Sequence, residues 1–397
     1  MYGGGNIGRG FIGMSFSLAG YHVSFVDVAK PVIEALNERG RYPVRILSSN
    51  AYEDVWVENV CAIDGNDTAS VAQAIADADI MATAVGVNIL KFIIPNLVAG
   101  IRLRMEQGKG PLNILICENL MDANHILEGM LKEHLTDGEK AWMDENIGLV
   151  EASIGRMVPV QTEEMKDGDP MRVCVERYGF LPVDKDAFKG EIPAIGNMVP
   201  FSPFDFYLKR KLYIHNMGHA ICAYLGDLYG LTYIWESIDR DEIYIPVRLA
   251  MEESALALSG KYGVAYTDIL AHIDDLLVRF TNRALGDTCA RVGGDPARKL
   301  SPSDRLIGAS QLALEQGVLP CYMALGTAAG LLRYLREKEL PETLESAQKV
   351  LREVSQVSAD SPIYHLVSDF FTRILQGESL QLLRRYADSL KKKDNII

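Results

Sequence analysis

Three glycines within the first eight residues, Gly3, Gly5 and Gly8, constrain this chain more than any other feature. The spacing G-x-G-x-x-G lets backbone amides close on the phosphates of a dinucleotide while a helix starts directly behind them. Such a loop is normally delivered by a buried β-strand. Only Met1 and Tyr2 precede Gly3, so Tyr2 takes the last place of that strand. The expectation is a chain that starts too late, with a poorly anchored loop, a mobile N-terminus and weak dinucleotide affinity.

Beyond the loop, strand and helix patterns alternate. "FIGMSFSLAG" reads as a helix ending at Gly20, "YHVSFVDV" as a buried strand, and "KPVIEALNERG" as a helix closed by Gly40. "YEDVWVENVCAI" suits a small antiparallel excursion. "DTASVAQAIADAD" is a helix with Asp67 or Thr68 near its N-cap, and "IMATAVG" is a strand. A helix containing Pro95 and the strand "LNILIC" follow, and "NIGLVEASI" and "MRVCVERY" are expected to extend the sheet. This alternation predicts an α/β fold with a doubly wound parallel sheet. The prolines and glycines of "FKGEIPAIGNMVPFSPF" mark a boundary, after which nearly everything has helical period, up to a solvated tail "LKKKDNII". The expected organisation is a dinucleotide-binding domain over 1–195 and a mostly α-helical substrate and catalytic domain over 196–397.

Composition excludes some functions. The 397 residues are 48% apolar and 23% charged with net charge −13, which argues against a polyanion-binding surface such as one for nucleic acid but permits a local basic pocket. No apolar run has the length of a membrane span, and the glycine-rich opening is no signal peptide. Six scattered cysteines without a C-x-x-C pair fit reduced core residues of a cytoplasmic protein. The seven histidines show no metal-ligand spacing, so no metal is expected.

Asp27 ends the next strand, 19 residues after Gly8. A carboxylate there accepts hydrogen bonds from ribose hydroxyls and repels a 2′-phosphate, which favours NAD over NADP. Its alternative role is to cap the helix starting at Lys30–Pro31. Gly3, Gly4, Gly5, Asn6, Ile7 and Gly8 are the loop's candidate cofactor contacts. The strand ends "TAVG" and "CEN" point to the same crevice and add Val85, Gly86, Asn88, Glu118 and Asn119, which could equally satisfy loop backbone groups.

The richest chemistry lies in "FSPFDFYLKRKLYIHNMGHA". Ser202 and Pro203 suit the N-cap and first position of a helix running toward Gly230. At about 100° per residue, Lys211, Asn216 and His219 fall at roughly 0°, 140° and 80°, on one broad and partly buried face. Alcohol oxidation needs a base for the hydroxyl proton, and a desolvated lysine can serve. Asn216 can donate to the oxygen as it gains alkoxide character, and His219 can orient a substrate hydroxyl. A snorkelling lysine beside a core histidine is the structural alternative.

K-x-x-x-x-N-x-x-H, with "GGGNIGRGFIG", "TAVG", "LNILICEN", "NMVPFSPFDFYLKRKLYIHNMGHA" and "RVGGDPARKLSPSDRLIG" in order, resembles the polyol-specific long-chain dehydrogenase/reductase family from residue 1 to about 310. The resemblance implies a Rossmann domain, a helical second domain, NAD, no metal, a lysine general acid/base and the asparagine in an oxyanion hole. Departures include Gly3-Gly4-Gly5 for Gly-Ala-Gly, Asn282-Arg283 for Asn-Pro, Gly294 for an arginine, and "EASIGRMVP" without an aspartate before its arginine. Reaction type therefore carries over better than substrate. Arg291, Arg298, Lys299 and Arg305 could bind an anionic substrate or pair with Asp287, Asp295 and Asp304. The leading expectation is NAD-dependent interconversion of a polyol phosphate and a ketose phosphate, of the mannitol 1-phosphate and fructose 6-phosphate kind. The alternatives are a hexonate or uronate oxidoreductase and a catalytically impaired nucleotide-binding protein. No nucleic-acid or membrane partner is expected, and the chain is expected to be a monomer or small homo-oligomer.

Overall fold

The protein, as a computed structural model, is described over residues 1–394. It separates into two compact units, Met1–Tyr207 and Leu208–Ile397.

Among its described residues the first unit holds ten strands: β1 (Val23–Asp27), β2 (Arg41–Ser48), β3 (Ala51–Glu58), β4 (Val60–Asp64), β5 (Met81–Thr83), β6 (Leu112–Ile116), β7 (Ile147–Glu151), β8 (Val173–Glu176), β9 (Leu181–Asp184) and β10 (Met198–Phe201). In the main sheet β4 pairs with β1, and β5–β6–β7 pair in order, all in parallel. The two halves are joined by Tyr2, which bridges Val26 on one side and Thr83 on the other, again in parallel. Helices cover both faces, so the strands read as apolar runs rather than alternations. Phe25 and Leu115 belong to one core, while Val26, Ile114 and Ile116 belong to the other.

Two expectations need correction. "MRVCVERY" does not extend the main sheet: β8 pairs in parallel with β2, whose other edge pairs antiparallel with β3. The sequence hid β2 because it carries Pro43 and two arginines. Pro43 lies outside the β8 ladder, which spans Val44–Leu47, so its absent N–H costs no bond on that side. Ser202 is not an N-cap either. Its hydroxyl bonds Asp186, and the helix starts at Asp205. The expected solvated tail is helical as far as Asp394, and its last three residues lie outside the described part.

Two caps follow the sequence closely. Gly40 closes its helix with φ of 61°, a conformation that glycine adopts without strain. Asp67 caps the next by accepting from the Ser70 amide at 3.2 Å.

The second unit is built on the buried helix Met217–Leu228. Glycines let neighbours approach it. A Cβ on Gly326, in the helix Cys321–Glu337, would fall on the Ile221 side chain, and one on Gly218 would meet Met251. Replacing Gly326 with leucine should therefore push two helices apart. We expect a loss of about 1–3 kcal/mol or more, read as a lower thermal midpoint. An unchanged midpoint would show that the close approach is not needed.

Candidate active site

The first unit carries the glycine loop. Gly3 has φ of 99°, and a Cβ there would lie 2.5 Å from the Ala84 carbonyl oxygen. Gly4 donates its N–H to Asp27 Oδ2 at 2.7 Å. A Cβ on Gly5 would meet nothing within 4 Å, so the backbone at this point is open to a ligand. A Cβ on Gly8 would collide with the Gly3 carbonyl, so the helix behind the loop can start only at a glycine. From Gly8 to Gly13 that helix is a widened π-turn.

Asp27 does not cap the helix at Lys30–Pro31, whose N-cap is Ala29 without a side-chain bond. Instead its Oδ1 accepts from Val28 and Ala29 at 2.8 and 2.9 Å while Oδ2 holds Gly4. The carboxylate is thus fixed beside the loop, half-buried, with lone pairs left to accept hydroxyls. Two buried arginines that sequence reasoning did not select brace the loop. Arg9 donates to the carbonyls of Gly4 at 2.7 Å and Met171 at 2.6 Å, and Arg156 donates to Gly10 at 2.8 Å while lying 4.6 Å over the Phe11 ring. Arg9 directly follows Gly8 in an otherwise apolar helix, and that was the one available signal.

Glu118 satisfies backbone: its two oxygens accept from Val85 at 2.9 Å and Gly86 at 2.8 Å. It shapes the strand-end loop that carries Val85 and Gly86. Asn88 is exposed in the first turn of the helix Val87–Glu106, and Asn119 is also exposed. Asn6 is exposed and Ile7 half-buried at the loop's helical end. Glu151, which falls in a departing segment, accepts from the Ala123 amide at 2.8 Å and is pushed above its ordinary range by burial.

The second unit carries the lysine helix. Lys211–Asn216 form a π-turn within it. Hydrogen bonds from i to i+5 replace i to i+4, so residues five apart stack one above the other. This corrects the 140° separation expected for Lys211 and Asn216, drawing them closer in line. Widened turns of this kind recur at functional sites.

One turn on, the His219 ring stacks on Phe280 at 4.7 Å and 15°. Its Nε2 lies 3.6 Å from Asp287 Oδ2, beyond hydrogen-bond reach, and makes no hydrogen bond. Burial, then the fields of Arg291, Arg305, Arg279 and Lys299, pull its pKa down to about 3. His219 is therefore neutral at ordinary pH. The segment carrying the cations lies along the helix: Gly293 sits against the Tyr224 ring, and Tyr213 donates to the Ser303 carbonyl at 3.3 Å.

Most of those cations are paired. Arg291 binds Asp287; Arg298 binds Asp295 at 2.9 Å and Asp304 at 3.6 Å; Arg305 binds Asp304 at 2.7 Å. Lys299 differs. It is buried, donates to the neutral carbonyl of Gly294, and is pulled down to about 8 by burial and then by Arg305 and Arg298.

The mannitol dehydrogenase Rossmann-domain model matches residues 1–197, and the mannitol dehydrogenase C-terminal-domain model matches residues 204–369. The chain is 39% identical over 347 residues to mannitol-1-phosphate 5-dehydrogenase of Brevibacillus brevis, covering 87% of each. Its fold is similar to that of a D-sorbitol dehydrogenase crystallised without substrate (TM-score 0.78, 15% identity, 95% of this chain and 92% of that one). It is also similar to Pseudomonas fluorescens mannitol 2-dehydrogenase in complex with NAD and D-mannitol (TM-score 0.74, 15% identity, 99% and 94%).

His215 and His272, also buried, are held well below their ordinary values by burial first. With His219 they must take up protons on unfolding. Between the unfolded value near 6.5 and the depressed folded values, the unfolded state binds more protons, so stability falls as pH falls. Denaturant unfolding at pH 7 and pH 5 should show this loss, and His219→Gln should make it shallower. An equal slope in the variant would remove His219 from the acid response. The matches to both domain models and the extensive identity establish that the chain belongs to the mannitol dehydrogenase family.

Proposed function

We propose that this chain is an NAD-dependent polyol dehydrogenase that interconverts a polyol phosphate and a ketose phosphate. The observation that carries the chemistry is the widened turn that brings Lys211 and Asn216 into line above a neutral His219. The loop fits the cofactor: Gly5 is open to a close-approaching phosphate, and Asp27 is fixed where a ribose would present its hydroxyls. When bound, NAD accepts or returns the hydride. Lys211 takes the hydroxyl proton during oxidation and returns it during reduction. Asn216 donates a hydrogen bond to the substrate oxygen as negative charge grows on it, and a donor so placed costs no reorganisation at the moment of reaction. Neutral His219 offers one ring nitrogen to orient a neighbouring hydroxyl.

The phosphate reading rests on Lys299. A buried ammonium bonded to a neutral carbonyl, flanked by two arginines, gains strongly from an incoming anion. The curated relative from Brevibacillus brevis, named for a phosphorylated polyol, supports the same choice. A hexonate or uronate carboxylate would use the same cations. An NADH-oxidation screen of fructose 6-phosphate, free ketoses and uronates separates these readings. Turnover confined to uronates would displace the proposal.

Lys211→Ala should reduce kcat by at least about 10²-fold while NADH binding persists. Near-normal turnover would remove Lys211 from the mechanism. The KM for sugar phosphate should rise above about pH 8 as Lys299 loses its charge, and the rise should vanish in Lys299→Met. NADH should be preferred to NADPH, with Asp27→Ala narrowing the gap; equal use of both by the wild-type chain would refute that role for Asp27.

A further inference from the structure

The space between β1 and β5 is paired only at the level of Met1 and Tyr2. Tyr2 donates to the Ala82 carbonyl at 2.8 Å and accepts from the Ala84 amide at 2.9 Å. Met1 donates through its ammonium to the Ser24 carbonyl at 2.8 Å and accepts from the Val26 amide at 2.9 Å. Peptide groups along a strand alternate sides. Two residues earlier on each flank, the Ser24 and Ala82 amides and the His22 and Ile80 carbonyls therefore face the same way. They open on a groove of about 510 Å³ lined by Phe16, Tyr21, Ser24, Ile75, Ile80 and Met81. The Met1 ammonium, buried at its inner end, is pulled down to about 5 by burial against a small opposing effect of Cys61.

We propose that this groove is a strand-accepting slot, taking about two to four extended apolar residues joined ahead of Met1 and parallel to β1 and β5. Direction follows from the parallel bridges of Tyr2, and register from the four hydrogen bonds above. Side-chain chemistry follows from the two faces. Tyr2 packs in the core that contains Ile75, and Met1 packs against the core that contains Phe16. Continuing the alternation puts successive side chains against Ile75 on one face and Phe16 on the other. Both faces are apolar, so the occupant is an uninterrupted apolar run. A peptide N–H in place of the ammonium keeps the bond to Ser24 and removes a buried charge.

The test compares the full chain carrying a four-residue valine and isoleucine extension ahead of Met1 with one carrying Gly-Ser-Gly-Ser. The apolar extension should raise Tm by at least about 5 °C over the Gly-Ser form. It should also slow amide exchange at Ser24 and Ala82 at least about tenfold, with the sedimenting mass unchanged. Equal Tm and equal exchange in the two forms would overturn the proposal. So would an apolar form that dimerises while Ser24 and Ala82 stay unprotected, since the extension would then pair between copies.

Discussion

The main sheet depends on one residue. Tyr2 hydrogen-bonds to both flanking strands and holds β4–β1 to β5–β6–β7. Its side chain is equally committed: the hydroxyl accepts from Asn96 Nδ2 at 2.8 Å, and the same amide donates to Gly65 at 2.8 Å. Gly3 follows directly and bonds Val26 at 2.9 Å, so the glycine loop takes its position from this bridge. Asp27 and Ala84, the loop's two neighbours, sit at the ends of the strands that Tyr2 joins. The phosphate-cradling geometry is therefore a by-product of how two halves of a sheet are fastened. The N-terminus, expected from sequence to be mobile, is hydrogen-bonded in place.

What sequence could reach follows from how local each signal is. Gly3, Gly5 and Gly8 were legible because each answers a backbone constraint a few residues away. Gly40 and Asp67 were legible for the same reason. The strand β2 was not, since its partner β8 lies more than a hundred residues on and its arginines resemble a surface. Arg45, for example, is spent on Asp54 at 2.7 Å. Glu118 shows a subtler limit. Its place at a strand end was readable, but not that both oxygens would be occupied by backbone amides. The pairing of Arg291, Arg298 and Arg305 with carboxylates was visible only as an alternative, because charge pairing depends on distances that spacing does not fix.

The electrostatics of the second unit have one theme. An acidic chain gathers cations around a histidine and keeps that histidine neutral. Carboxylates compensate most of the cations, which keeps the segment from 287 to 305 folded against its helix. Lys299 is the exception in kind, bonded to a carbonyl dipole rather than to a full charge. Compensation and readiness for an anion are thus divided among neighbours rather than shared by all.

The widened turn from Lys211 to Asn216 ties chemistry to counting. It holds one residue more than a regular helical turn. Losing any one residue there would restore the regular helix and rotate everything beyond it by about 100°, with a shift of about 1.5 Å. His219 would leave its place over Phe280. Gly218 would leave Met251, and Gly226 would leave Ser237 and Cys289. Reactive side chains and close-packed glycines are thus phased by the same extra residue. A lineage of such chains could exchange many side chains along this helix and still work, but it could not change the helix's length by one without losing the reaction and the packing in a single step.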